Sequence, residues 1–132
     1  MNTRMLMGAS ALFMAILGVA GSFLPQEILA VAGARPEGPG VLSIQITGAV
    51  YLGFAILNWM ARANLIGGIY SRPVAVGNFV HFAVAAVVLL KALLAGHNGA
   101  GIMVGAAAYS AFAVSFGVVL FTHPIRAGRS EP

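Results

Sequence analysis

Among the polar side chains that interrupt or flank long apolar stretches of this chain, six could share one polar layer: Tyr51, Asn58 and Arg62 in one, Asn78 and His81 in the next, and Ser115 in the last. Polar groups inside hydrocarbon are costly, and they face protein or a water-filled cavity rather than lipid. Two kinds of chemistry fit residues of these types. One is a polar pocket that holds a quinone or a lipid headgroup, or passes a proton through His81. The other is hydrogen bonding between helices that fixes their register, at roughly 0.6 to 2 kcal/mol per contact. By a rise of 1.5 Å per residue, Asn58 lies about 6 Å, Asn78 about 8 Å and His81 about 12 Å from the same end of their segments. Ser10 in the first stretch falls at similar depth.

Other chemistries lack their residues. There is no Cys, and the acidic residues are Glu27, Glu37 and Glu131, none inside an apolar run. That removes disulfides, thiol catalysis and Cys–zinc sites, and leaves neither an acid–base pair nor a common metal set. A bis-His haem needs two histidines at matching depth, whereas His97 and His123 fall at opposite ends. No catalytic residue, metal or resident cofactor is expected; if the polar layer holds a ligand, a lipid or quinone fits it, and the hydrogen-bonding role is the favoured reading.

The elements that carry these residues follow from composition. Of 132 residues, 60% are hydrophobic and 8% charged, against roughly 25% charged in a soluble domain. Ten charged side chains cannot cover a soluble bundle, so lipid is the expected surroundings. Four segments, 4–24, 43–61, 73–95 and 101–121, each run about 19 to 23 residues, near the 20 that cross a hydrocarbon core of about 30 Å. The predicted fold is an all-α integral membrane four-helix bundle in a single domain, 1–132. The first segment exceeds the roughly 7 to 15 residues of a signal-peptide core and is read as an uncleaved helix. Loop 25–42 is predicted to hold a brief interfacial helix near Gln26–Ala32, followed by an irregular stretch, GARPEGPG at 33–40, where Gly and Pro break helices.

Arg4, Arg62, Arg72, Arg126 and Arg129 fall on one side and Arg35 and Lys91 on the other. The positive-inside rule then places both termini in the cytoplasm. The net charge of +4 is spread singly over helix ends, so it marks orientation and not a nucleic-acid partner. Lys91 can snorkel to the interface, with Glu27 as the acidic candidate on that side. Trp59, Tyr70 and Phe121 read as interfacial anchors.

Helices in lipid associate where small residues let backbones approach. The stripes are Gly8, Ala11, Ala15, Gly18 and Ser22; Gly48 and Ala55; Gly77, Ala85 and Ala92; and Gly101, Gly105, Ala108 and Ser115. The last contains one GxxxG, and Phe112 interrupts it and fills space further on. Tyr51, Asn58 and Arg62 share the second stripe; Asn78 and His81 share the third.

SFLPQEILAVAG at 22–33, GAVYLGFAILNWMAR at 48–62 and GGIYSRPVAVGNFVHF at 67–82 resemble a group of small bacterial four-helix membrane proteins, more distantly similar to the DoxX-like proteins. The resemblance implies a multi-pass protein of the bacterial inner membrane. Some DoxX-type proteins are implied to be membrane subunits handing electrons to quinone; no DoxX catalytic motif stands in this chain, so no residue role is carried over. The expected function is that of a non-enzymatic accessory subunit or lipid- or quinone-binding bundle. Its expected partners are the bilayer and a larger membrane complex or a homo-oligomer. The alternatives are a small oligomeric transporter or channel, and a quinone-linked redox subunit.

Overall fold

The computed structural model describes residues 2–63 and 71–122. Tyr70, His123, Arg126, Arg129 and Glu131, and most of the second loop, lie outside the described residues. Five helices follow in order: α1 Thr3–Phe23, α2 Pro25–Val31, α3 Pro39–Ala61, α4 Arg72–Leu94 and α5 Ala100–Thr122. Four of them are long and apolar enough to cross a membrane. At 1.5 Å per residue they measure roughly 32 to 35 Å.

Local chemistry sets the ends. The Asn2 side chain accepts from the backbone N–H groups of Arg4 and Met5, at 3.1 and 3.3 Å, and so caps two of the orphan donors of α1. α1 stops at Leu24 because the ring of Pro25 disfavours helical geometry in the residue before it; Leu24 sits at φ −125°, ψ 40°. Pro25 then starts α2, since a first helical position needs no N–H. α2 closes at Gly33, φ 72°, with the Gly33 N–H on Ala30 O and the Ala34 N–H on Leu29 O. This paired closure uses the left-handed backbone that glycine adopts without strain. Gly96, φ 90°, ends α4 in the same way, with the Gly96 N–H on Leu93 O and the His97 N–H on Ala92 O.

The predicted short helix after the first span is present. The predicted start of the second span is corrected: α3 begins at Pro39, not at residue 43. Within GARPEGPG only the part through Gly38 breaks the helix. Pro39, like Pro25, opens one. The other span boundaries lie within one residue of the prediction.

The chain divides into two compact units, Asn2–Ala63 and a second containing α4 and α5. In the first unit α1 and α3 form an antiparallel hairpin at backbone contact. Cβ atoms placed on Gly18, Gly21 and Gly48 would stand 2.8 Å from Leu52 N, 3.1 Å from Gly48 Cα and 2.5 Å from Ser22 N. This is the close approach that glycine permits in apolar surroundings. The buried face of α1 is Met7, Ser10, Ala11, Met14, Gly18 and Gly21. It is rotated by about 70°, at 100° per residue, from the predicted stripe, and nothing lies within 4 Å of a Cβ on Gly8.

In the second unit α4 and α5 pack through rings. Phe82 is fully buried. Its ring stacks on Phe112 at 4.8 Å and on Phe116 at 5.7 Å, and meets Tyr109 at 5.6 Å. Phe79 meets Phe121 edge-on at 5.9 Å, and a Cβ on Gly117 would lie 3.2 Å from the Phe79 ring. The predicted small-residue stripes hold only in part: Gly105, in the first half of α5 where close approach is predicted, meets Leu89 at 3.4 Å from its Cβ position, and Asn78 of the α4 stripe is buried. Gly77 and Gly101 have open space around them, and the buried faces are Ala75, Asn78, Phe82 and Ala86 on α4 and Ala106, Tyr109, Phe116 and Val119 on α5. Phe112 does fill space between these helices, as predicted.

Candidate functional site

On α3 the predicted face is the observed one. Gly48, Ala55 and Asn58 are buried, with Tyr51 and Arg62 half-buried on the same stripe. Asn58 is fully buried, and its Nδ2 donates to Ser10 Oγ on α1 at 3.1 Å. Ser10 Oγ in turn donates to Met7 O at 3.0 Å. Ser10 lies off the predicted small stripe, yet it is the α1 residue that meets Asn58. Equal depth in the two segments is the sequence signal that points to this pair.

Arg62 leaves that polar chain. Its guanidinium carbon stands 3.2 Å from the centre of the Trp59 ring, one turn back along α3. A cation so placed is attracted by the negative face of the indole.

The other predicted residues belong to the α4–α5 hairpin. Asn78 is fully buried, and its Nδ2 donates to Val74 O at 2.9 Å, one turn back on its own helix. His81 is half-buried, its ring 5.2 Å from Phe82 and 5.9 Å from Tyr109. Ser115 is half-buried on α5. Tyr109 went unread because an aromatic in an apolar run carries no signal of its own. Lys91 is exposed near the end of α4. Among the described residues no group of three or more His, Asp or Glu side chains could hold a metal ion.

Cavities open on both hairpins. One, of about 280 Å³, lies between α1 and α3, with Leu12, Ala15, Leu52, Ile56 and Trp59 in its wall. Every side chain there is apolar apart from the indole N–H. Another, of about 450 Å³, lies at the turn end of α4–α5, with Asn98, Met103, Ala107 and Ser110 around it. Ser110 Oγ is buried there without a hydrogen-bond partner.

The geometry therefore defines a protein with four apolar helices long enough to cross a bilayer, in which the Asn58–Ser10 hydrogen bond joins α3 to α1. No protein-family model, curated protein or solved structure matches the chain.

Proposed function

We propose that this chain is a non-enzymatic, four-span protein of the bacterial inner membrane, with both termini cytoplasmic. It acts as an accessory subunit that associates with bilayer lipid or quinone and with a larger membrane complex. The observation that carries this reading is the apolar exterior. Leu12, Ile46, Ile56, Met60, Val84, Leu94, Val104 and Val114 are all exposed. Soluble monomers rarely expose apolar patches beyond a few hundred Å², and here the apolar exposure runs along all four long helices. The Thr47 hydroxyl agrees with such surroundings. Thr47, inside α3, donates to Ser43 O four residues back, a local bond that satisfies its hydroxyl without water.

The polar layer supports an architectural role. Asn58, Ser10 and Met7 O form a relay that ties α3 to α1, in the manner of the hydrogen bonds that join membrane helices. The inner-membrane assignment draws on the resemblance of the three quoted stretches to small bacterial membrane proteins. The orientation draws on the arginine count.

Two measurements test this. Ala34→Cys and Ala63→Cys place single thiols at exposed loop positions of a chain that has none. A membrane-impermeant maleimide added to intact cells is expected to label the first and not the second; the reverse pattern would invert the topology. Purification from the native membrane in mild detergent is expected to bring down a fixed protein partner at constant ratio. A monodisperse chain with no partner, or flux through liposomes holding the chain alone, would contradict the accessory role.

A further inference from the structure

The groove between α1 and α3 ends at a cation. Its wall is Leu12, Ala15, Leu52, Ile56 and Trp59, and Leu12, Ile56 and Trp59 are 63%, 62% and 55% exposed. The Arg62 guanidinium lies across the Trp59 ring. From Arg62 to Leu52 is roughly 15 Å along α3, which is about the depth of one leaflet of a 30 Å hydrocarbon core. The volume, about 280 Å³, sits at the lower edge of the roughly 300 to 1,000 Å³ of ligand pockets. That suits one hydrocarbon chain and not a bulky polar ligand.

Charge identifies the other end of the occupant. The antiparallel pairing of Gly21 with Gly48, Gly18 with Leu52 and Ser10 with Asn58 brings Arg4 and Arg62 to the same end of the hairpin. Glu27 and Glu37 belong to the opposite end. Among the described residues of this unit no carboxylate neutralises the Arg4–Arg62 end. A guanidinium stacked on a ring engages through its face, and its N–H groups remain at the edge, in the fork that matches phosphate oxygens.

We infer that the α1–α3 groove binds one acyl chain of an anionic phospholipid, one whose phosphate headgroup carries net negative charge, with Arg62 on the headgroup and Trp59 holding both chain and guanidinium. This rests on the membrane reading above and names the ligand within it. Under the proposed orientation the site faces the cytoplasmic leaflet, where anionic lipid attracts basic residues.

The test uses the full chain in mild detergent, offered phosphatidylglycerol or phosphatidylcholine of identical acyl chains, with bound lipid counted by native mass spectrometry. Wild type is expected to retain phosphatidylglycerol in preference. Arg62→Gln is expected to weaken it about fivefold, the effect of one basic residue at a lipid surface, and Arg62→Lys less. Ala15→Leu, which fills the groove, is expected to lower retention of both lipids. Arg35→Gln, at the far end, is expected to change nothing. Equal retention by Arg62→Gln and wild type, no preference between headgroups, or a neutral quinone retained in place of lipid would each overturn the site while leaving the membrane reading intact. Release of wild type from membranes by alkaline carbonate would remove the membrane reading itself, and the site with it.

Discussion

Gly48→Ala is the sharpest test of how the first hairpin is held together. A Cβ at this position would stand 2.5 Å from Ser22 N, 2.7 Å from Ser22 Oγ and 2.8 Å from the Gly21 carbonyl carbon. Non-bonded carbon contacts settle near 3.5 to 4.0 Å, so α1 must retreat by about 1 Å. Two of the three blocking atoms are backbone and cannot swing aside. Overpacking of this kind costs about 1 to 3 kcal/mol. Against that, Ala gains about 0.8 to 1.0 kcal/mol over Gly in intrinsic helix preference. Gly53→Ala supplies the control, since it lies on the same helix with nothing within 4 Å of its Cβ. Both variants share the preference gain, so their difference isolates the steric term, about 1 to 3 kcal/mol. The assay is unfolding in dodecyl maltoside titrated with sodium dodecyl sulfate, followed by far-ultraviolet circular dichroism and by fluorescence of Trp59, the sole tryptophan. Equal stability of the two variants would refute backbone contact between α1 and α3.

Two further outcomes are expected under the same assay. A double-mutant cycle on Asn58→Ala and Ser10→Ala should return a coupling of about 0.6 kcal/mol, and no more than about 1.7; additivity would remove the hydrogen bond between them from the account. Phe82→Ala empties the centre of the ring cluster. The same truncation costs about 3 to 5 kcal/mol in a soluble core. Here lipid replaces water as the alternative environment, so the value should fall at the lower end, about 3 kcal/mol, and a loss below 1 kcal/mol would contradict the central place of Phe82.

The four long helices were legible because their signals are one-dimensional. Length, apolar composition and the prolines at 25 and 73 suffice to place them, except for the start of α3, where Pro39 opens the helix instead of breaking it. The packing faces were legible in full only on α3. On α1, α4 and α5 the predicted stripe was turned by most of one residue. The physical reason is that lipid-facing and protein-facing surfaces are both apolar here, so the contrast that marks a buried face in water is missing. A search for small residues then finds the true face only where packing is by backbone contact. On α3 it succeeded because Gly48 takes part in such contact and Asn58 carries polarity to the same side. On α4 it pointed to Gly77, whose surroundings are open, and missed Phe82, whose size is what fills the interface. The candidate site divides the same way. Asn58 was placed correctly by type and stripe. The stripe assigned Arg62 to the same cluster, but a long side chain is not bound to its stripe, and Trp59 one turn away offered its ring.

These two hairpins thus answer one problem with opposite solutions. Association in lipid gains little from hiding apolar surface, so it depends on dispersion contacts and on hydrogen bonds. The α1–α3 hairpin maximises contact by removing side chains: three glycines bring the backbones together, and one amide-to-hydroxyl bond fixes the register. The α4–α5 hairpin maximises contact by adding them, with Phe82 meeting three rings of α5 at once. Backbone contact has a geometric consequence that ring packing lacks. Where α1 and α3 touch at Gly18, Gly21 and Gly48, the flanking small residues Ala11, Ala15 and Ala55 leave a shallow trough beside the seam instead of a filled ridge. The lipid groove is therefore a by-product of how this hairpin is packed, and Trp59 and Arg62 close the end of it that meets the headgroups.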